Sequence, residues 1–270
     1  MTTEQVERVQ IMHARFMEGA VFSFNYNTLI LVASVMAALG LASNGSATII
    51  ASMLVSPIMG PVAAMAYGTS IWDRQMIKIA VKNELVSLAF CVFVGIVMGL
   101  ITGATSLSND WLTPEMKTRA TLSNLLVGIP TAFFSGLGVA VSLLDDQINS
   151  LVGVAISASL LPPAVNCGMI WASYGLYRAG VLGTSQTDLT KQDFWDAGWM
   201  SLSLTLVNIV LVWLASVIMF RLKEVSYHLS ADIYILMCVL IRINYVLTFY
   251  VFSSNLSCPG PSDQKSNILE

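Results

Sequence analysis

From Gly19 to Trp72 no residue carries a charge, a run more than twice the roughly 20 residues that one helix needs to cross a bilayer. Inside it, the stretch Ile50 to Gly68, IASMLVSPIMGPVAAMAYG, holds Pro57, Gly60 and Pro61 within five positions. Proline deletes an N–H donor and clashes with the carbonyl four residues back, so a helix here is expected to open near its middle. The same defect recurs at Ile156 to Gly175, ISASLLPPAVNCGMIWASYG, around Pro162 and Pro163. Backbone freed at membrane depth is tolerated only where protein or a wet cavity satisfies it. The expectation is therefore an all-α polytopic membrane protein organised around two interrupted helices.

Composition agrees. Hydrophobic residues make up 56% of the 270 positions, charged residues 11%, and mean hydropathy is +0.73, against roughly 25% charged residues in a soluble domain. A net charge of -3 with no basic block among aromatics argues against a nucleic-acid partner. The cysteines Cys91, Cys167, Cys238 and Cys258 have neither ligand nor framework spacing. Glu4, Glu7 and Glu18 precede a first apolar run too long for a cleaved signal, so that span is expected to stay as an anchor.

Taken in order, residues 1–21 form an N-terminal segment in which Val6, Val9, Met12 and Phe16 recur at near-helical spacing. It reads as a helix on the membrane surface or as a solvated tail. Residues 22–104 hold three spans, near 24–42, 46–70 and 85–109, with Ser43 to Ser46 as the first turn. Arg74, Lys78 and Lys82 recur every four residues and form a cationic stripe for lipid headgroups, by regulation or by plain snorkelling. Gly95, Gly99 and Gly103 form a small-residue seam, for packing within the chain or for a homo-oligomer through the third span. Residues 105–119 are the loop between halves, and Thr113-Pro114-Glu115 in it is a helix-start signal. Residues 120–222 hold three more spans, near 120–144 with Pro130 as a kink, 147–177, and 198–220 with Asn208 buried. Residues 223–270 are a divergent tail. A seventh span at 233–252 would bury Arg242 and Asn244, and charge there costs about 2.5 kcal/mol or more.

Pro57 and Pro163 stand 106 positions apart, and at that offset Ile50 faces Ile156, Leu54 faces Leu160 and Ala66 faces Ala172. Each half runs span, tight turn, proline-bearing span, polar loop, plain span. Three spans per unit make the second unit enter from the opposite side, giving two three-helix inverted-topology repeats and six to seven helices in all. Secondary transporters use this plan, with sites where discontinuous helices meet. Cationic residues on the N-terminal side (Arg8, Arg15, Arg74, Lys78, Lys82, Arg221, Lys223) outnumber those opposite (Lys117, Arg119, Arg178, Lys191, Lys265). That bias puts the N-terminus in the cytoplasm of a plasma or inner membrane.

Each break would expose carbonyl and N–H ends, which suit a cation and an anion respectively. The expected substrate site is Ser52, Ser56, Pro57, Gly60 and Pro61 with Ser159, Pro162, Pro163, Asn166 and Asn208. The hydroxyls have a plainer use too, repairing freed backbone. No carboxylate lies within either stretch, so a small neutral polar or anionic solute is favoured over a dehydrated cation. Proton coupling would have to use edge groups such as Asp73, Glu84, Asp145 or Asp146. His13 and His228 lie outside the first six spans, and HExxH, GxSxG and a paired intramembrane aspartate are lacking. No enzymatic activity, cofactor or metal is expected.

The runs LGLASNGSATIIASMLVSPIMGPVAAMAYGTSIWD, VGVAISASLLPPAVNCG and TLVNIVLVWLASVI resemble the uncharacterised hydrophobic membrane proteins grouped as domain of unknown function 389. The likeness covers about residues 22–222. It implies a polytopic membrane domain whose characteristic motifs fall on Ser56 to Pro61, Asp73, Leu161 to Pro163 and Asn208. Many relatives have an additional soluble domain that these 270 residues do not show, and the resemblance implies no activity. The functional expectation is a transporter or permeation pathway for an unknown small solute. The alternative is a non-transporting scaffold or lipid-handling protein, with the bilayer as partner in both.

Overall fold

The computed structural model describes residues 11, 13, 14, 16–104, 113–144, 150–178 and 191–225. The expected seventh span at 233–252, the turn at 145–149 and most of segment 1–21 lie outside those residues. The described part is all-helical, with no strand among the described residues. Its helices are α1 (Phe24–Ala42), α2 (Ser46–Val55), α3 (Met59–Ser70), α4 (Arg74–Ala104), α5 (Pro114–Arg119), α6 (Leu122–Leu144), α7 (Ser150–Arg178) and α8 (Lys191–Val225).

Local chemistry sets the ends. Ser23 caps α1 by accepting from the Tyr26 N–H at 3.1 Å. At the far end Asn44 takes a left-handed φ of 53°, and the Gly45 N–H reaches back to the Gly40 carbonyl at 2.9 Å. That six-to-one bond closes the helix and turns the chain straight into α2. The same device recurs after α3, where Trp72 has a φ of 61° and the Asp73 N–H donates to the Gly68 carbonyl at 2.9 Å. Asp73 at once caps α4, accepting from the Gln75 and Met76 N–H groups at 2.9 and 3.3 Å. Arg221 lies over the Trp72 ring, 5.4 Å from its centroid.

Three of these helices are long and apolar enough to cross a membrane, Phe24–Ala42, Arg74–Gly103 and Trp195–Arg221, among the described residues. The pair α2 and α3, bent by 52° at residues 56–58, makes a fourth if it counts as one span. Large apolar side chains such as Phe24, Leu54, Phe93 and Leu126 point outward, as a chain solvated by lipid requires. Inside, hydroxyls turn back on their own helix. Ser34, Ser87 and Ser173 donate to the carbonyls of Ile30, Asn83 and Met169 at 2.6 to 2.8 Å, which satisfies each hydroxyl proton on its own helix.

α4 against α7 is the closest-packed pair. A Cβ on Gly95 would stand 3.2 Å from the Gly168 Cα, and one on Gly99 would stand 2.8 Å from the Ala172 Cβ. Only bare backbone allows that approach. Gly95 and Gly99 therefore pack against α7 within the chain. Gly103 lies in the last turns of α4. Near the start of α4 the stripe of Arg74, Lys78 and Lys82 is exposed.

The two proline stretches differ. α2 ends at Val55, and Ser56 is extended (φ -71°, ψ 127°) ahead of Pro57. α7, by contrast, runs unbroken through Pro162 and Pro163, so the expected interruption of the fifth span is corrected. Its walls explain why: Leu160, Leu161, Ala164 and Val165 are fully buried, and a neighbouring helix supplies one of the missing donors.

Candidate functional site

That donor defines the site. Pro163 has no N–H, so the Ser159 carbonyl loses its partner four residues on. Asn208, at the middle of α8, fills the gap, its Nδ2 donating to the Ser159 oxygen at 2.9 Å. The Asn208 side chain is buried, and its Oδ1 takes no hydrogen bond from any described residue. Oδ1 looks toward α6, where a Cβ on Gly128 would stand 3.6 Å away.

Nearby, α7 and α8 hold the end of α5. Asn166 donates through Nδ2 to the Met116 carbonyl at 3.1 Å and to the Ser201 hydroxyl at 2.9 Å. Ser201 in turn donates to the Arg119 carbonyl at 3.3 Å. The last carbonyls of a helix have no partner within it, and here two side chains from the second half of the chain supply them. The start of α5 is tied to the first half instead. Thr113 donates to the Leu41 carbonyl at 2.7 Å, the Glu115 N–H donates to the Asn44 side chain at 3.1 Å, and Ser46 donates to the Glu115 carboxylate at 2.8 Å.

Between these elements lies a cavity of about 390 Å³. Glu115, Thr118 and Arg119 line it from α5, Gly128 and Thr131 from α6, Ser159 and Pro163 from α7, and Asn208 from α8. Arg119 Nη1 donates to both the carbonyl and the carboxylate of Glu115. The Arg119 hydrogen bond first, and the Ser46 hydroxyl second, hold the Glu115 carboxyl below the usual carboxylate range. The remaining guanidinium N–H groups of Arg119 bond to no described residue. The cavity thus offers a charge-balanced cation, two threonine hydroxyls and a buried amide oxygen on an apolar wall.

Of the expected site residues, Ser159, Pro163 and Asn208 line this cavity, while Pro162 and Asn166 flank it on α7. Ser52, Ser56, Pro57, Gly60 and Pro61 do not. Ser52 is buried and spends its hydroxyl on the Ile49 carbonyl at 2.6 Å, a carbonyl that no proline has freed. Gly60 backs onto Gly19, with the two Cα environments in contact. The sequence reading passed over Glu115, Thr118, Arg119, Gly128 and Thr131. Their one visible signal was the Glu115 and Arg119 pair four apart behind the Thr113 helix start.

Residues 53–214 match the family described as "Domain of unknown function (DUF389)". An uncharacterized protein of Methanocaldococcus jannaschii is 26% identical over 201 residues, which is 74% of this chain and 55% of that protein. The chain spans about half the length of that relative. No solved structure matches the chain. With α3 to α7 and most of α8 inside the matched residues, which make up more than half of the chain, the chain belongs to the domain of unknown function (DUF389) family.

Proposed function

We propose that the protein is a membrane transporter or permeation pathway for a small neutral polar or anionic solute, and that the solute sits in the cavity between α5, α6, α7 and α8. The observation that carries this reading is the buried Asn208 oxygen, which takes no hydrogen bond from any described residue, at the wall of a cavity that Arg119 also lines. A buried acceptor left unmade costs about 1–3 kcal/mol, so a solute that donates to Asn208 and accepts from Arg119 recovers energy that the resting protein forgoes. The site binds by hydrogen bonds and holds no activated nucleophile, so the reading is non-enzymatic.

Six crossings, with α2 and α3 as one, give the topology this function needs. Two sets of contacts support them. Thr113 and Glu115 meet the α1–α2 turn at one end, while at the other Phe16 stacks on Tyr67 and Phe220 meets Tyr67 edge-on, with centroids 4.4 and 6.1 Å apart. Three helices on each side of α5 then run in opposed directions, the inverted repeat, with the N-terminus cytoplasmic.

The purified protein should be screened by thermal shift against polyols, amino acids and organic anions, because a ligand of the native state raises its melting point by mass action. Hits are then assayed for flux in vesicles. Loss of flux in Asn208→Ala and Arg119→Gln, with helicity retained, is the expected result. Undiminished flux in both would remove the site. The exposed stripe of Arg74, Lys78 and Lys82 favours a second reading, a lipid-handling scaffold. Vesicles that show no flux for any solute yet bind anionic lipid through the stripe would select it.

A further inference from the structure

A carboxyl group outside that cavity has no role in it. Glu84 lies on α4, ten residues or about 15 Å from the helix start, and is 3% exposed. This corrects its placement among edge groups. Both of its carboxyl oxygens are buried and take no hydrogen bond from any described residue. It belongs to the buried face of α4, with Ala80, Ser87, Leu88 and Cys91 at helical spacing. Around it the contacts are those of a closed joint. The next residue back, Asn83, donates through Nδ2 to the Ala20 carbonyl. Gly19, beside Ala20, rests on Gly60 just past the bend between α2 and α3. Ser87, one turn on, meets the Tyr26 hydroxyl at 2.8 Å.

Among the described residues no cation pairs with Glu84. α1 and α3 contain no charged residue, and α7 has only Arg178 at its last position. On the N-terminal strap, Glu18 is exposed and His13 faces Asp73. The titratable groups near Glu84 are the Tyr26 phenol of α1 and the Cys91 thiol of α4. Tyr67 of α3 stacks on Phe16 instead. Cys167 of α7 adjoins Gly168, which packs at Val92 to Ile96, at least eight residues or about 12 Å further along α4. An ionised carboxylate is not stable in such a place without a partner, and an ionisable residue inside a membrane marks an ion or proton pathway by default.

We propose that Glu84 is a proton-binding site of the membrane domain, closed by the Gly19–Ala20 strap, which exchanges its proton with water when the joint between α2 and α3 moves. The step is a simple dissociation: the O–H bond of the neutral acid breaks, the electron pair stays on the carboxylate, and the proton goes to water admitted past Asn83. Resting on the transporter reading, this site supplies its coupling ion, since a carboxyl on α4, next to the Asn83 that holds the strap lying on Gly60, provides a charge that α2 and α3 lack.

Infrared difference spectroscopy on the full chain in lipid tests it. A neutral-acid C=O band should be present at neutral pH, lost in Glu84→Gln and displaced in Glu84→Asp. In the wild type it should fade at strongly alkaline pH, and Asn83→Ala should make it fade faster. A wild-type spectrum from which Glu84→Gln removes no acid band would overturn the proposal, as would a band that survives alkali unchanged. Where flux is found, an imposed pH gradient should drive it in the wild type and not in Glu84→Gln, and indifference to the gradient would remove the coupling role. A titrating band in a protein that moves no solute would instead sink the transporter reading and leave the proton site standing.

Discussion

The two proline stretches begin alike and end differently. Near Pro57 the chain abandons the helix for three residues and bends by 52°. At Pro162 and Pro163 it does not bend out of helix at all. The residue before a proline is pushed away from helical geometry, and Ser56 yields to that push. Leu161 does not, because it is locked in a fully buried wall and because Asn208 supplies a donor to the Ser159 carbonyl. Proline therefore marks where a helix needs help, and the neighbouring helix decides whether it breaks.

Four experiments would break or sharpen that contrast. The largest effect is expected at the bend. A Cβ on Gly60 would run into the Gly19 backbone, so Gly60→Leu should cost about 3 kcal/mol, read as a lowered melting temperature in detergent. A near-neutral result would mean the strap is not held there. Next comes Asn208→Leu, which takes the Nδ2 donor away from the Ser159 carbonyl and should cost about 2 kcal/mol. In a Pro163→Ala background most of that loss should vanish, because residue 163 regains an N–H for the same carbonyl. Equal losses in both backgrounds would disprove the repair. A smaller effect of opposite sign is expected from Gly175→Ala, in the unbroken helix with nothing within 4 Å of the new Cβ. It should stabilise by up to about 1 kcal/mol.

The smallest effect concerns the far end of α3. His13 Nε2 donates to the Asp73 carboxylate at 3.1 Å. That bond first, with the Met76 and Gln75 N–H groups, holds the Asp73 carboxyl below the usual range. A lowered acid stabilises the fold above the ordinary carboxylate range and loses that contribution as pH falls through its own, lower value. Asp73→Asn should therefore flatten the acid limb of a stability profile while leaving the alkaline limb unchanged. Because the pair is exposed, the change is slight.

Much of the helix plan was legible. Helix limits at 24–42 and near 120–144, the turn at Ser43 to Ser46 and the helix start at Thr113 follow from uncharged runs and capping residues, which are local signals. The fate of the prolines was not legible, because it depends on Asn208, a residue some 45 positions away that only the packed fold brings to Ser159. The same limit explains the site. Sequence placed Ser159, Pro163 and Asn208 together by shared chemistry, but Arg119 and Glu115 read as loop. Glu84 read as a flanking charge because nothing local shows that α1 and the strap close over it.

One short helix carries a consequence for the whole chain. α5 takes its entry bonds from Leu41, Asn44 and Ser46, and its exit bonds from Asn166 and Ser201. It acts as a rivet through both halves. Neither half made separately would keep a complete set of bonds to that rivet, so split into two polypeptides the molecule should regain its fold only when both are present. Heated intact, it should come apart in a single calorimetric event.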